Sequence, residues 1–168
     1  MDMSQSEQKQ IFLKPYEQVS DLEKALKTVR QIEFDKMAVS VIGNVGEDHI
    51  NKSKELTTIE YQLRRFFSEL LAPNTAFDTF YNPELGRLFV AGFLVETFQN
   101  SVGKRGIGEL YGGPYGILRG LGITETDTIA SINKLKGKTY LLVARGNRLD
   151  IQKLKNQLGN QLEDKLGN

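Results

Sequence analysis

The start of the chain alternates between apolar runs and a segment with helical spacing. Residues 11–13 are a short apolar run, and residues 37–42 are a second run, rich in branched side chains and bounded by Gly43. Between them, apolar residues recur at intervals of three and four, which is typical of one face of a helix. They are Val19, Leu22, Leu26 and Val29. The pattern predicts a strand, a helix over residues 21–31 and a second strand.

Residues 45–83 follow a different pattern and are interpreted as an insertion. Their apolar positions predict one face of an amphipathic helix that ends before Pro73, and an irregular stretch is expected after it. The apolar face consists of Leu56, Ile59, Leu63, Phe66, Phe67 and Leu70. Phe66 and Phe67 have two interpretations: they cover the core, or they form a docking surface for a partner or a second subunit.

The second half of the chain predicts two more strands and two more helices. Residues 86–98 form an apolar run that predicts a strand, and Gly92 within it indicates a bulge or a close approach of two backbones. Thr124 and Asn147 are placed to cap two helices. Between those helices lies an apolar strand at residues 138–144.

Together these elements predict a single α+β domain over residues 10–158. The two β-α-β units make a split βαβ pair, the ferredoxin-like arrangement, with the helices expected on one face of the sheet. The insertion at residues 45–83 adds an amphipathic helix, and a glycine-rich segment lies within the second unit. Residues 1–9 are expected to form a disordered tail, and residues 159–168 a helix extension or a tail.

The most distinctive local feature is a glycine run within residues 103–122. Its candidate site residues are Gly106, Gly108, Gly112, Gly113, Gly116 and Gly120. Four of them fall at intervals of four, so on a helix they would form one stripe that another backbone can approach closely. Pro114 allows such a helix only if it starts near Gly113, because proline inside a helix removes a hydrogen bond and clashes with the preceding turn.

Three interpretations of the glycine run stay open. It is a loop that leads into a short packed helix, a surface for close packing on another subunit or a membrane, or a cradle for phosphate or another small anion. The cradle would use the backbone amides of residues 106–113. Lys104, Arg105 and Arg119 would then be the candidate anion contacts.

Composition excludes several kinds of site. The 168 residues include no Cys and a single His, His49, which excludes disulfides, thiolate metal sites, cysteine nucleophiles and zinc sites with several His ligands. A net charge of +1 gives no overall attraction to nucleic acid. We therefore expect no metal, no cofactor and no nucleic-acid partner.

Two local motifs contain the residue types of anion sites. Gly137, Lys138 and Thr139 resemble the end of a P-loop, but Ile132 stands where its first glycine is required. Residues 134–155 carry seven basic side chains and are interpreted as a solvated face or, alternatively, an anion-binding surface.

The hydropathy pattern predicts a cytoplasmic protein. The longest wholly apolar stretch, residues 88–95, is far shorter than the roughly 20 residues that span a bilayer. The first ten residues are polar and lack the apolar core of an export signal.

Residues 104–158 resemble the YflT-like general (heat-induced) stress protein family. The resemblance rests on the glycine run, on Gly120, Leu121, Gly122 and Ile123 after it, and on the acidic helix start, Leu- and Val-rich strand and closing helix that follow. The opening β-α-β unit and residues 86–95 fit the same pattern. Thr124 departs from the proline that is usual in the family, and residues 45–83 are an additional insertion.

The resemblance implies a small ferredoxin-like domain of undetermined biochemical activity that is associated with stress responses, and it supplies no catalytic residues. We expect a non-enzymatic protein that self-associates, with a homodimer favoured, or docks on a partner protein. The alternative is a module that binds a small ligand or anion at the glycine-rich segment.

Overall fold

The structure is a computed structural model that describes residues 8–46 and 54–159. The strands are β1 (Gln10–Tyr16), β2 (Met37–Gly46), β3 (Phe77–Asn82), β4 (Gly86–Gly92), β5 (Ser101–Val102), β6 (Arg105–Gly106) and β7 (Tyr140–Gly146). The helices are α1 (Val19–Gln31), α2 (Lys54–Leu70), α3 (Leu94–Gln99), α4 (Gly113–Gly120), α5 (Glu125–Leu135) and α6 (Arg148–Leu158). Residues 1–7 and 160–168, on which the predicted tails fall, lie outside the described residues.

Five strands form one antiparallel sheet in the order β1-β7-β2-β4-β3, and β5 and β6 form a separate hairpin. Strand β7 pairs antiparallel with both β1 and β2, so β1 and β2 run in the same direction on either side of it. Strand β2 likewise separates β4 from β7. Two split β-α-β units are thus interleaved, and the predicted α+β class with an antiparallel sheet is confirmed.

Helices cover both faces of the sheet, so the expectation of helices on one face is wrong. Along β7, Leu141 and Val143 join the apolar cluster that contains residues of α3, α4 and α5. Leu142 and Ala144 join the opposite cluster, which contains residues of α1, α2 and α6. Successive side chains of a strand point to opposite faces, and β7 is apolar on both, so each face requires a covering layer.

The insertion contributes a strand as well as the expected helix. α2 buries Leu56, Phe67 and Leu70, as its apolar spacing predicts. The stretch after Pro73 was expected to be irregular, but its residues Phe77–Asn82 form the edge strand β3. Phe77 and Phe80 pack into opposite apolar clusters, so the strand lacks the simple alternation by which a half-buried strand is recognised.

Gly92 ends β4, and the predicted strand over residues 86–98 is therefore too long. The backbone of Gly92 has φ +99°, and a Cβ atom there would lie 2.1 Å from the carbonyl oxygen of Val39 on the neighbouring strand. The close backbone approach expected at this glycine is confirmed. The chain then turns into α3, whose residues Leu94, Val95 and Phe98 face the core.

Candidate docking surface

The glycine-rich segment is part loop and part helix. The hairpin of β5 and β6 leads into a 3₁₀ turn at Ile107–Glu109, and α4 begins at Gly113 after Gly112, which adopts φ +75°. Pro114 falls in the first turn of α4, where its missing N–H costs no helical hydrogen bond. The helix start required by this proline is confirmed.

The glycines of the run have two kinds of surroundings. A Cβ atom on Gly108 would lie 2.8 Å from the Phe80 ring, and one on Gly113 would lie 1.9 Å from the carbonyl oxygen of Ile107. By contrast, Gly116 and Gly120 are exposed, and a Cβ atom on either would have no neighbour within 4 Å. The spacing of four therefore does not mark one packed stripe, because Gly108 is packed whereas a Cβ atom on Gly112, Gly116 or Gly120 would have no neighbour within 4 Å.

The outward glycines form the floor of a groove along α4 with a volume of 540 Å³. Side chains from α4 and from the loops at both of its ends line the groove. These are Ile107, Leu110, Tyr111, Ile117 and Leu121, together with Thr97 of α3. Tyr111 is the most open of them, with 78% of its surface exposed. We call this groove the α4 face.

Backbone amides of the glycine-rich loop already donate to acceptors within the protein. The Gly106 N–H donates to Oε2 of Glu109 at 3.2 Å, and the Gly113 N–H donates to the carbonyl oxygen of Leu110 at 2.9 Å. The N–H of Ile107 donates to Asn100. The Glu109 carboxylate thus accepts from an amide that would have to be free to bind an anion, and this arrangement disfavours the cradle interpretation.

The three candidate anion contacts lie on different elements. Lys104 lies in the exposed turn between β5 and β6, and Arg105 is exposed on β6. Arg119 lies near the C-terminal end of α4, where its Nη1 donates to the carbonyl oxygen of Ile123 at 3.0 Å. Arg119 therefore closes the turn between α4 and α5.

Asn82 is a structural residue of this region that the sequence analysis missed. It is buried at the end of β3, where its Nδ2 donates to the carbonyl oxygens of Gly108 and Leu110, at 2.8 and 2.9 Å. Its Oδ1 accepts from the N–H groups of Glu84 and Leu85. The sequence signal was the Asn-Pro step at residues 82–83, which is typical of a turn whose side chain bonds to the following backbone.

No known protein family, curated protein or solved structure matches this chain.

The two phenylalanines of α2 have different surroundings, which separates the two interpretations made from sequence. Phe67 is 1% exposed and packs with ring-centroid distances of 5.1 Å to Phe66 and 5.3 Å to Phe89. A partner could not reach Phe67 without displacing α2, so this side chain belongs to the core. Phe66 is half-buried and lines a groove of 260 Å³ beside Leu63.

The basic residues between positions 134 and 155 do not form one cluster. Lys136 and Lys138 precede β7, while Arg145 and Arg148 lie at its far end and beyond it. The acidic residue among them, Asp150, is buried, and its carboxylate accepts from backbone N–H groups at residues 35 and 36. The basic residues before β7 are therefore separated from those after it by the length of the strand.

Two further results concern the part of the chain that the structure describes. Within residues 8–46 and 54–159, no group of three or more His, Asp or Glu side chains could hold a metal ion. No helix in these two ranges is long and apolar enough to cross a membrane. His49 and its acidic neighbours lie outside the described residues.

Proposed function

We propose that this protein is a non-enzymatic, cytoplasmic, stress-associated protein of the YflT-like family, and that it acts by binding another polypeptide. The α4 face is the proposed docking surface. The observation that carries the proposal is the pair of exposed helical glycines, Gly116 and Gly120: a Cβ atom on either would meet no atom of another element of the described chain within 4 Å. Self-association, with a homodimer favoured, is part of the same proposal.

The low helix propensity of glycine supports a role for Gly116 in contact with a partner and not in the stability of the fold. Glycine inside a helix is less favourable than alanine by about 1 kcal/mol, and a methyl group at this position would meet no atom within 4 Å. The fold therefore gains nothing from glycine here. A partner backbone that approaches α4 closely would gain from it, because a Cβ atom would hold the two backbones apart.

The side chains around the glycines also suit a polypeptide partner. Tyr111 presents an aromatic ring with a polar end, and Leu110 and Leu121 are half-buried beside it. Exposed aromatic and aliphatic side chains around a concave floor are typical of the centre of protein interfaces. The rival function, binding of a small anion at the glycine-rich loop, has no comparable support because the amides of Gly106 and Gly113 already have acceptors.

The ferredoxin-like relationship is likewise a proposal. The interleaving of two split β-α-β units supports it. Helices α3, α4 and α5 connect β4 to β7 in the second unit, and their layer carries the α4 face.

Site-specific photo-crosslinking in the native host tests the docking surface. A photo-crosslinking phenylalanine analogue in place of Tyr111 should give a discrete adduct, whereas the same analogue in place of Tyr61, which is 63% exposed on α2, should not. Adding Gly116→Ala should remove the adduct while the purified variant remains folded. The absence of an adduct at Tyr111, or its persistence with Gly116→Ala, would contradict the proposal.

A further inference from the structure

The two edges of the five-stranded sheet are protected to different degrees. Strand β1 forms one edge and includes Lys14 and Pro15, and both lysine and proline discourage pairing with another strand. Strand β3 forms the other edge and includes neither residue type, and its one charged side chain, Asp78, accepts a hydrogen bond from Gln99 at the end of α3. Natural proteins seldom leave an edge without such protection unless the edge has a partner.

One hydrogen bond fixes which backbone groups of β3 face outward. The N–H of Gly92 donates to the carbonyl oxygen of Ala76 at 2.9 Å, and the register between β3 and β4 continues without a shift. Hydrogen-bonded and non-bonded residues alternate in an antiparallel pair, so residues 78, 80 and 82 bond to β4. The N–H and C=O groups of Phe77, Thr79 and Tyr81 therefore point away from the sheet.

Nothing in the described part of the chain pairs with this row of groups. Strand β3 is terminal in the sheet order, and no backbone group of residues 8–46 or 54–159 hydrogen-bonds to it from the outer side. The Thr79 hydroxyl donates to Glu60, but that bond leaves the Thr79 backbone groups available.

We infer that two copies of this chain pair through β3 in an antiparallel register centred on Thr79, which extends the sheet across a two-fold axis. The inference rests on the proposed self-association and names its interface. It does not depend on the α4 face, because none of the residues of β3 lines that groove.

The sequence of β3 is self-complementary in this register. With Thr79 opposite Thr79 of the partner subunit, Phe77 comes opposite Tyr81 of the partner subunit, and the reverse pair forms on the other side of the axis. Aromatic pairs and threonine pairs are among the favourable cross-strand combinations. Since each copy offers three outward residues, about six backbone hydrogen bonds would form.

Other two-fold registers leave outward groups unpaired, because an axis at Phe77 or at Tyr81 shifts part of each strand past the end of the other. The charges on the strand also fit the register centred on Thr79. Asp78 comes opposite Phe80 of the partner subunit, so the two carboxylates do not face each other. Like charges placed directly opposite would have been destabilising.

Single cysteines test the register, because the chain has none of its own. Thr79→Cys should form a disulfide-linked dimer under mild oxidation, since opposite Cα atoms of a hydrogen-bonded pair lie about 5.5 Å apart, within disulfide range. Tyr81→Cys is the matched control on the same strand and face. Its two copies would lie about 14 Å apart along the strands and should not crosslink.

A proline variant tests the hydrogen bonds. Thr79→Pro removes an outward N–H without removing any bond to β4, so the variant should stay folded by circular dichroism. Its dimer Kd, measured by native mass spectrometry, should rise by roughly 100-fold or more. Thr79→Ala keeps the N–H and loses only the bond to Glu60, so it should remain a dimer.

The outcomes separate the two proposals. A wild-type chain that stays monomeric at millimolar concentration would overturn both the self-association and this interface. A dimer that survives Thr79→Pro, or that crosslinks as well through Tyr81→Cys as through Thr79→Cys, would overturn the β3 interface and leave self-association standing. If Thr79→Pro fails to fold, the cysteine pair still decides the question.

Discussion

The Nδ2 of Asn82 donates to the carbonyl oxygen of Gly108 over 2.8 Å, and this bond joins the edge strand β3 to the glycine-rich segment. The same amide group also bonds to Leu110, and the side-chain oxygen accepts from two backbone N–H groups of the turn after β3. One buried side chain therefore holds together the strand proposed for dimerisation and the loop that leads to the α4 face.

Replacing Asn82 by Asp should strongly destabilise the protein. The substitution keeps the shape but turns the donor into an acceptor that faces two carbonyl oxygens in a buried site. We expect a loss of about 3 kcal/mol in the free energy of unfolding, measured by urea titration. Asn74→Asp in an exposed loop is the control, and equal losses for the two variants would contradict the role of the Asn82 amide.

The close approach at Gly92 can be separated from its backbone strain. Gly92 and Gly122 have nearly equal φ angles, +99° and +98°, but a Cβ atom at Gly122 would have no neighbour within 4 Å. Gly122→Ala should therefore cost about 1 kcal/mol for conformation alone. Gly92→Ala should cost about 3 kcal/mol or more, because the methyl group would displace the backbone of Val39. Similar melting temperatures for the two variants would refute the close approach.

Two fully buried serines should respond in opposite directions to replacement by alanine. The Ser131 hydroxyl on α5 has no hydrogen-bond partner among residues 8–46 and 54–159, whereas the Ser40 hydroxyl accepts from the N–H of Leu94 at 2.8 Å. Ser131→Ala should raise the free energy of unfolding by about 1 kcal/mol, since it removes an unsatisfied polar group and favours the helix. Ser40→Ala should lower it by about 1 to 2 kcal/mol. Chemical denaturation of both variants under one set of conditions makes the comparison, and a destabilised Ser131→Ala would count against it.

Stability should fall in alkaline solution partly because of Tyr140. Burial raises the pKa of the Tyr140 phenol above its usual value of 10.0. The unfolded chain then ionises at lower pH than the folded protein, so this contribution to stability is fully present below about pH 10 and is lost as the pH rises through the folded pKa. Tyr140→Phe should flatten the decline in melting temperature between pH 9 and 11, and an equally steep decline in the variant would contradict this role of Tyr140.

Features set by local chemistry could be predicted from the sequence. Pro114 fixed the start of α4, and the Thr124 and Asn147 side chains accept from the backbone N–H groups three residues later, as expected for helix caps. Gly92 was correctly associated with a close backbone approach. Each of these depends on a few neighbouring residues.

Features set by tertiary packing could not be predicted in the same way. Residues 94–99 are apolar only at Leu94, Val95 and Phe98, and so short a segment fits a strand or a helix equally well. The two helical layers had a signal, since residues 141–144 are consecutively apolar, as in strands buried on both faces. No sequence pattern predicts that Gly116 is exposed and Gly113 is buried. The backbone of Ile107 packs against Gly113 and not against Gly116, and its position is set by the tertiary fold.

The sheet order affects how the chain folds during its synthesis on the ribosome. Among the described strands, β1 comes first in the chain and pairs only with β7, which comes last. Strands β2, β4 and β3 can pair with one another as soon as they emerge, but β1 has no strand to join until about residue 146 has left the exit tunnel. At about 5–20 residues per second the nascent N-terminus must wait several seconds or more for its partner. Chaperone protection of a nascent chain would thus matter most for this segment.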